Sequence, residues 1–323
     1  GAYVRLSDAG LGCPDWPGCY GSASPLGAHQ EIREAQTAMP TGPVTFSKAW
    51  IEMIHRYLAT AVGVLILTLT VGTWVLRRRN AVLSPWWPTV TLVWVSFQGA
   101  LGAWTVTMKL FPAVVTLHLL AGLVLLALLC RQAVTYEHAQ QGRSPVAVAP
   151  GLRTWLLAAT ALVWLQAALG GWVSTNYAVL ACSDFPACQG SWWPPMDFRQ
   201  GFEIWRELGM TAAGEHIGFA ALTAIHYVHR LAAYVVLPVL GVLAWQLARV
   251  APLRRHGVLV GALAVWQLAS GVSNVLFDWP LLVAVAHTGG AAGLVLALAW
   301  ALAETRRRGA QQPAPAGARE RPA

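Results

Sequence analysis

Seven apolar stretches, separated by short polar segments, dominate the pattern of this chain. They cover residues 50–76, 88–106, 112–130, 154–175, 216–247, 258–277 and 281–303. About 20 mostly apolar residues in a helix cross the hydrocarbon core of a bilayer, because a helix satisfies all its backbone polar groups internally. The pattern therefore predicts an all-α polytopic membrane protein with seven spans.

Composition agrees with this pattern and excludes an ordinary soluble domain. Only 11% of the 323 residues are charged, 56% are hydrophobic, and 17 are tryptophan. Soluble domains carry about 25% charged residues, and tryptophan is enriched at membrane–water interfaces. The net charge of +8 sits in short basic clusters at span ends and at the C-terminal end. We therefore assign the charge to membrane topology and predict contact with lipid and no nucleic-acid partner.

The basic clusters also predict which way the chain is inserted. Lysine and arginine are retained on the cytoplasmic side, and one set of loop and span-end positions carries most of the arginines. These are Arg77, Arg78, Arg79, Arg131, Arg143, Arg153, Arg249, Arg254, Arg255, Arg306, Arg307 and Arg308. The opposite loops carry two close cysteine pairs, which suits an oxidising periplasm. We expect a bacterial inner (plasma) membrane protein with periplasmic cysteine loops and a cytoplasmic C-terminus.

An internal duplication organises the chain. Residues 1–21 align without gaps on residues 170–190, an offset of 169 that also relates Gln98 to Gln267 and His118 to His287. The pair His55-Arg56 matches His229-Arg230 at an offset of 174. The chain is therefore predicted to contain two copies of a four-helix unit. The predicted division is an N-terminal half (1–135), a cytoplasmic linker (136–153), a C-terminal half (154–305) and a disordered cytoplasmic tail (306–323).

One helix of the repeat has no counterpart in the first copy. The apolar run 154–169 precedes the aligned segment in the second copy, whereas the chain begins at the aligned segment in the first. We expect a further helix upstream, giving eight spans in two four-helix bundles related by a pseudo-twofold axis along the membrane normal.

Four histidines occupy repeated positions inside the spans. They are His55 and His118 in the first copy and His229 and His287 in the second. His118 and His287 each lie six residues into their span, roughly 9 Å below the periplasmic surface at the rise of an α-helix. Each half can thus present two imidazoles at one depth, which favours bis-axial ligation of a haem iron. The alternative is four hydrogen-bonded interior histidines.

An arginine follows one histidine in each half. Arg56 and Arg230 would be costly inside a membrane without a partner, and haem propionates could supply the opposite charge. Snorkelling to the surface or pairing with an internal carboxylate are the alternatives.

The two halves differ one helical turn before these histidines. Glu52 in the first copy stands where the second has His226. Because Glu52 and His55 share a helix face, Glu52 is the candidate catalytic residue, either stabilising positive charge or moving a proton. Alternatively, Glu52 only pairs with Arg56. His226 is expected to be a polar interior residue, with a third ligand or a propionate contact as alternatives.

The cysteine pairs Cys13/Cys19 and Cys182/Cys188 each enclose five residues. This spacing can close a small disulfide loop and differs from the two-residue spacing of thiol oxidoreductases and zinc knuckles. We predict structural disulfides, with redox exchange by the first pair left open. The other histidines, at 29, 138, 216 and 256, are expected in loops or at span ends in contact with solvent or the interface.

These motifs together resemble one known family. The chain resembles the haem A synthases of bacterial cytochrome oxidase assembly, proteobacterial members in particular. The resemblance is carried by the segment Gly1-Ala2-Tyr3-Val4-Arg5-Leu6-Ser7-Asp8-Ala9-Gly10-Leu11-Gly12-Cys13-Pro14-Asp15-Trp16-Pro17-Gly18-Cys19, by the motif Glu52-x-x-His55-Arg56, and by His118, His229-Arg230 and His287. The resemblance extends from residue 1 to about residue 303, and members of that family have eight helices.

The resemblance implies an oxidoreductase and assigns its residues. The family oxidises the C8 methyl of haem O to a formyl group by successive hydroxylations, giving haem A. His229 and His287 would hold a haem b cofactor, whereas His55 and His118 would mark the site of the substrate haem O. Glu52 matches the catalytic glutamate of the family.

The residues alone leave other functions and partners open. One rival is a bis-histidine cytochrome b that exchanges electrons with a quinone, which has no need of Glu52. A second is a periplasm-facing thiol oxidoreductase centred on the cysteines, and a third is a haem carrier that leaves haem unchanged. For a haem A synthase we expect a homo-oligomer, with haem O synthase and oxidase assembly factors as partners.

Overall fold

The apolar stretches form long helices in the structure, a computed structural model that describes residues 1–79 and 84–308. In that part of the chain, seven helices are long and apolar enough to cross a membrane. They are α3 (Phe46–Leu76), α4 (Trp86–Thr107), α5 (Pro112–Gln141), α6 (Pro150–Thr175), α8 (Phe219–Ala248), α9 (Arg254–Leu276, with the 3₁₀ turn Ala251–Leu253 before it) and α10 (Leu281–Ala303). The predicted all-α polytopic fold is confirmed.

Shorter elements occupy the ends of the spans. They are helices α1 (Ala2–Leu6), α2 (His29–Ala38) and α7 (Phe198–Gly201), the 3₁₀ turn Ala178–Leu180, and two strands, β1 (Val146–Val148) and β2 (Thr305–Arg307). The strands pair in parallel, with Val146 opposite Thr305.

Helix packing follows the predicted duplication. In the second half α8 packs against α6 and α9, and α10 packs against α9; in the first half α4 packs against α3 and α5. The halves meet where α5 contacts α6 and α10, and where α1 contacts α10. By the alignment, α1 corresponds to the last turns of α6.

Equivalent residues contact one another across the junction of the halves. Arg5 donates a hydrogen bond to the carbonyl of Ser174, and the Tyr177 hydroxyl donates to Asp8 Oδ1 at 2.5 Å. Ser174 and Tyr177 are the positions that the 169-residue offset assigns to Arg5 and Asp8. A residue that touches its own duplicate lies close to the pseudo-twofold axis, so the axis passes between α1 and the end of α6.

Helix α5 extends 11 residues beyond its predicted end at residue 130, into the predicted linker. Polar contacts stabilise this extension. Gln132 accepts a hydrogen bond from Thr91 at 3.2 Å, and the Tyr136 hydroxyl donates to the carbonyl of Ser84 at 2.7 Å. The hydropathy pattern carries no information about such polar contacts, so it placed the end of the helix too early. The predicted linker 136–153 therefore contains the end of α5, strand β1 and the start of α6.

Two expectations near the arginine-rich ends of the spans are wrong. The predicted disordered tail begins at residue 306, but Arg306 and Arg307 belong to β2, because that strand pairs with β1; residues 309–323 lie outside the described residues. His138 and His256 are 6% and 1% exposed rather than solvated. His138 bonds to Glu304 at 2.9 Å, and His256 packs edge-on against Trp300.

Candidate functional site

Both cysteine pairs form disulfide-closed loops next to the N-terminal parts of α3 and α8. The Sγ–Sγ distances are 2.11 Å for Cys13–Cys19 and 1.96 Å for Cys182–Cys188. In each loop an aspartate organises the following turn: Asp15 accepts from the backbone N–H of residues 20 and 21, and Asp184 from those of residues 189 and 190. The loop geometry is therefore repeated, and both predicted disulfides are present.

Arg56 and Arg230 attach these loops to the membrane helices. Arg230 donates to the carbonyls of Cys182, Asp184 and Ala187 at 2.7–3.0 Å, and Arg56 donates to those of Asp15, Pro17 and Gly18 at 2.5–3.2 Å. Loop carbonyls thus satisfy most of the donors for which haem propionates were one expected partner. Binding of a propionate by either arginine stays a prediction; Arg230 also lines the cavity described below.

Asp184 supports its loop as an ionised group. Hydrogen bonds from the backbone N–H of Gly190 and Gln189, together with nearby Arg230, lower the pKa of the Asp184 carboxyl below its usual 3.8. The loop is therefore held by a carboxylate at neutral pH.

Glu52 is buried, at 4% exposure, between its own helix and the first disulfide loop. Its Oε1 accepts from Arg56 at 2.6 Å, and its Oε2 accepts from the backbone N–H of Cys13 at 2.8 Å. The alternative that Glu52 pairs with Arg56 is therefore realised, and a contact to the loop is added. This position can deliver a fixed negative charge to the His55 end of the first half.

His226 occupies the equivalent place in the second half and has neither nitrogen free. Its Nδ1 lies 2.9 Å from the carbonyl of Ala178, and its Nε2 accepts from Arg230 Nε at 3.2 Å. This arrangement matches the expected polar interior residue.

A cavity of about 350 Å³ brings three of the four repeated histidines together. His118, His229 and His287 line it, along with side chains of α1, α5, α6, α8, α9 and α10. His55 is not among the lining residues; its Nδ1 lies 3.3 Å from the backbone nitrogen of Gly1. The cavity lies in the range of small-molecule and cofactor sites and is mainly apolar in lining.

The imidazoles in the second half are oriented through Nδ1. Ser270 Oγ lies 2.8 Å from His287 Nδ1, and Gln166 Nε2 lies 3.1 Å from His229 Nδ1 and donates to the His229 carbonyl. Among the described residues, neither Nε2 has a hydrogen-bond partner. An imidazole held at one nitrogen and open at the other is the form in which histidine binds metals.

A glycine packs against each of the four rings. A Cβ built on Gly170 would lie 3.0 Å from the His229 ring, and one on Gly271 would lie 3.3 Å from the His287 ring. In the first half, Gly102 and Gly1 hold the same positions against His118 and His55, at 3.2 and 3.7 Å. The four glycines form two pairs related by the 169-residue offset, so the same kind of glycine contact supports each imidazole ring.

The residues present fit a haem in the second half. Two imidazoles with open Nε2 atoms face a mainly apolar cavity, each ring is backed by a glycine, and two arginines lie at the cavity wall. Within the described range no group of three or more histidine, cysteine, aspartate or glutamate side chains is arranged to hold a metal ion, whereas bis-axial ligation requires only two histidines.

The sequence identified the histidines but not the role of the residues that support them. The offset already relates Gln98 to Gln267, and the structure shows that they donate to the carbonyls of His118 and His287 at 2.9 Å each. Ser270 has no such signal, because its duplicate is Leu101.

Comparison with known proteins agrees with these observations. The pattern of the COX15-CtaA family, described as cytochrome oxidase assembly protein, matches residues 1–299. A heme A synthase of Shewanella oneidensis is 38% identical over 306 residues, covering 92% of this chain and 89% of that protein. Heme A synthases of Halalkalibacterium halodurans and Allorhizobium ampelinum are 26% and 28% identical, over 89% and 90% of this chain and 85% and 81% of their own lengths. The chain thus belongs to the COX15-CtaA family of cytochrome oxidase assembly proteins.

Proposed function

We propose that this protein is a haem A synthase of the bacterial inner membrane that oxidises the C8 methyl of haem O to a formyl group. The relatives named heme A synthase and the family match support this activity. The observation that carries the residue assignment is the difference between two otherwise repeated sites: a buried carboxylate, Glu52, in one half and an imidazole, His226, in the other.

The second half is the proposed cofactor half. His229 and His287 would bind haem b through their Nε2 atoms, since their Nδ1 atoms are already engaged. Bound haem b would supply one-electron redox chemistry. The residues of this half orient the ligands, and the apolar cavity, which α1 and α5 of the first half also line, would enclose the cofactor.

The first half is the proposed substrate half, with His55 and His118 on the iron of haem O. Conversion of the methyl to the formyl group consumes one water and releases four electrons and four protons, two of each in each of two hydroxylation stages. The second stage gives a geminal diol, which loses water. Each stage requires a one-electron acceptor and a site that tolerates positive charge on the methyl carbon.

Glu52 would stabilise that charge. Its carboxylate is fixed by Arg56 and by the Cys13 N–H, so it needs no reorganisation when positive charge develops. Low local dielectric strengthens the effect until water adds to the carbon.

The decisive experiment is co-expression of the full-length protein with a haem O source, followed by mass analysis of the extracted haems. The wild type is expected to yield haem A. Glu52→Gln preserves the shape and one of the two accepted hydrogen bonds while removing the negative charge. We therefore expect it to keep its haem b absorption bands, which belong to the other half, while losing haem A formation. Glu34→Gln, on the exposed helix α2, is the matched control.

Two outcomes would contradict the proposal. Haem recovered without a change of mass from the wild type would favour the electron-transfer cytochrome or the haem carrier. Normal haem A yield from Glu52→Gln would remove Glu52 from the chemistry. Orientation is proposed with the cysteine loops periplasmic and the arginine-rich ends cytoplasmic.

A further inference from the structure

Two arginines from different halves line the cavity that contains His229 and His287. Arg230 comes from α8 in the second half, whereas Arg5 comes from α1 in the first. A cation at the wall of an apolar cavity within a membrane protein requires an anionic or polar partner. What each guanidinium already binds therefore indicates what it could still bind.

Arg230 is largely satisfied by protein. It donates to three loop carbonyls and, through Nε, to His226. Little hydrogen-bonding capacity is left for a ligand, since a guanidinium has five N–H donors.

Arg5 is satisfied far less. It donates through one terminal nitrogen to the Ser174 carbonyl, and its guanidinium carbon stacks 3.9 Å from the centre of the Tyr177 ring. Among the described residues, no carboxylate lies within ion-pair distance of Arg5. Asp8 instead binds Lys48 at 3.3 Å and the Tyr177 hydroxyl at 2.5 Å. Arg5 thus presents a fixed cation, with donors to spare, at the cavity wall.

The duplication makes this cation specific to one site. The equivalent of Arg5 in the second half is Ser174. At this repeated position, the first half therefore contributes a cation to the shared cavity, whereas the second half contributes a neutral hydroxyl.

We propose that Arg5 binds a propionate carboxylate of the haem held by His229 and His287, clamping the cofactor across the junction of the halves. The inference rests on the proposed function and extends it. A guanidinium and a carboxylate form charge-assisted hydrogen bonds that are stronger than neutral ones. Ser174, the duplicate of Arg5, lines the same cavity and cannot form such a charge-assisted bond, so the clamp depends on Arg5.

Haem retention tests the proposal independently of catalysis. The full-length protein, carrying His55→Ala and His118→Ala so that only the second site is loaded, is reconstituted with haem b or with its propionate dimethyl ester. Loss of haem to excess apomyoglobin is followed optically.

With haem b, Arg5→Gln should lose haem roughly tenfold faster than the protein with Arg5 intact, the equivalent of about 1.4 kcal/mol. With the ester, Arg5→Gln and the unsubstituted Arg5 protein should differ little. Arg5→Lys should recover part of the retention, and Arg33→Gln on α2 is the matched control.

The ester separates a propionate contact from a purely structural role. Equal acceleration of haem b and ester loss by Arg5→Gln, or no acceleration of either, would overturn the clamp. If Arg5→Gln misfolds, its elution volume in size-exclusion chromatography will change, and Arg5→Lys then provides the test. The clamp predicts that Arg5→Lys retains haem b longer than the ester, and equal retention of the two would overturn it. If His229→Ala retains haem b as firmly as the protein with His229 intact, the ligand assignment of the proposed function fails, and the clamp fails with it.

Discussion

Ser270 shows how closely one side chain controls a candidate iron ligand. Its hydroxyl lies 2.8 Å from Nδ1 of His287 and so fixes the ring with Nε2 toward the cavity. The histidine itself was predictable, because the duplication marks it twice. Ser270 was not, because position 101 in the other half is leucine and a partner that exists in one copy leaves no repeated signal.

Ser270→Ala is expected to weaken haem binding in the second half. Loss of an outer partner of a ligand histidine typically costs 10–100-fold in affinity, and we expect haem to dissociate about tenfold faster. Ser273→Ala, one turn further along α9, removes only a hydrogen bond to the Ala269 carbonyl and serves as the control. Equal dissociation rates for the two variants would show that Ser270 does not tune the ligand.

Gly170 tests the seating of the other ring. A methyl group there would lie 3.0 Å from Cε1 of His229, so Gly170→Ala must displace the imidazole or the helix. Overpacking of this kind costs about 1–3 kcal/mol, and we expect a clear loss of haem per protein with an altered absorption spectrum. In the same helix, Gly151→Ala meets no atom within 4 Å and should be silent. Matching haem contents in the two variants would contradict the seating role.

At the level of elements, the C-terminal ends of α5 and α10 and the start of α9 converge on one carboxylate. Glu304 bonds to His138 at 2.9 Å and lies 3.6 Å from both Arg143 and Arg255. Immediately after it, β2 pairs with β1. Apolar periodicity predicted the membrane portions of these helices well. It missed the extension of α5 and the strand pair, because side-chain partners distant in sequence stabilise both.

This cluster makes stability depend on pH. Burial alone would raise the pKa of Glu304, but hydrogen bonds from His138 and Trp300 and the charge of Arg143 hold it below the usual 4.5. A group whose pKa is lowered on folding stabilises the fold above its unfolded value and loses that contribution as pH falls through its folded value.

Glu304→Gln should therefore lower the free energy of unfolding by about 1–3 kcal/mol at pH 7. Thermal unfolding in detergent measures the effect, and the difference from the wild type should shrink as the pH falls below about 4.5. Glu137→Gln is the control, because Glu137 is half exposed and reaches Arg143 only at 3.9 Å. A difference that persists unchanged at low pH would show that the effect is not electrostatic.

For the whole molecule, the separation of cysteines from arginines predicts its orientation. In a Cys130→Ser background that keeps both disulfides, an impermeant maleimide should label Glu34→Cys, on the exposed helix α2, in intact cells. In the same background, Arg143→Cys should react only after the inner membrane is opened. Labelling of Arg143→Cys in intact cells would reverse the proposed orientation.

The contacts between the halves are also a property of the whole molecule, and no sequence pattern predicted them. The repeat predicted two similar bundles, and the structure shows which of their surfaces meet. The alignment shows that Arg5 and Ser174 are duplicated positions, but only the structure shows that they are in contact.

Those pairs also explain what fusing two units into one chain makes possible. In a dimer of identical subunits, a residue on the twofold axis always meets its own copy, so Arg5 would face arginine and Asp8 would face aspartate, both repulsive. Covalent linkage removes that constraint and allows Arg5 to meet Ser174 and Asp8 to meet Tyr177. A homodimer assembled from the first unit alone would concentrate like charges along its own axis, whereas the fused polypeptide converts the same seam into attractive contacts.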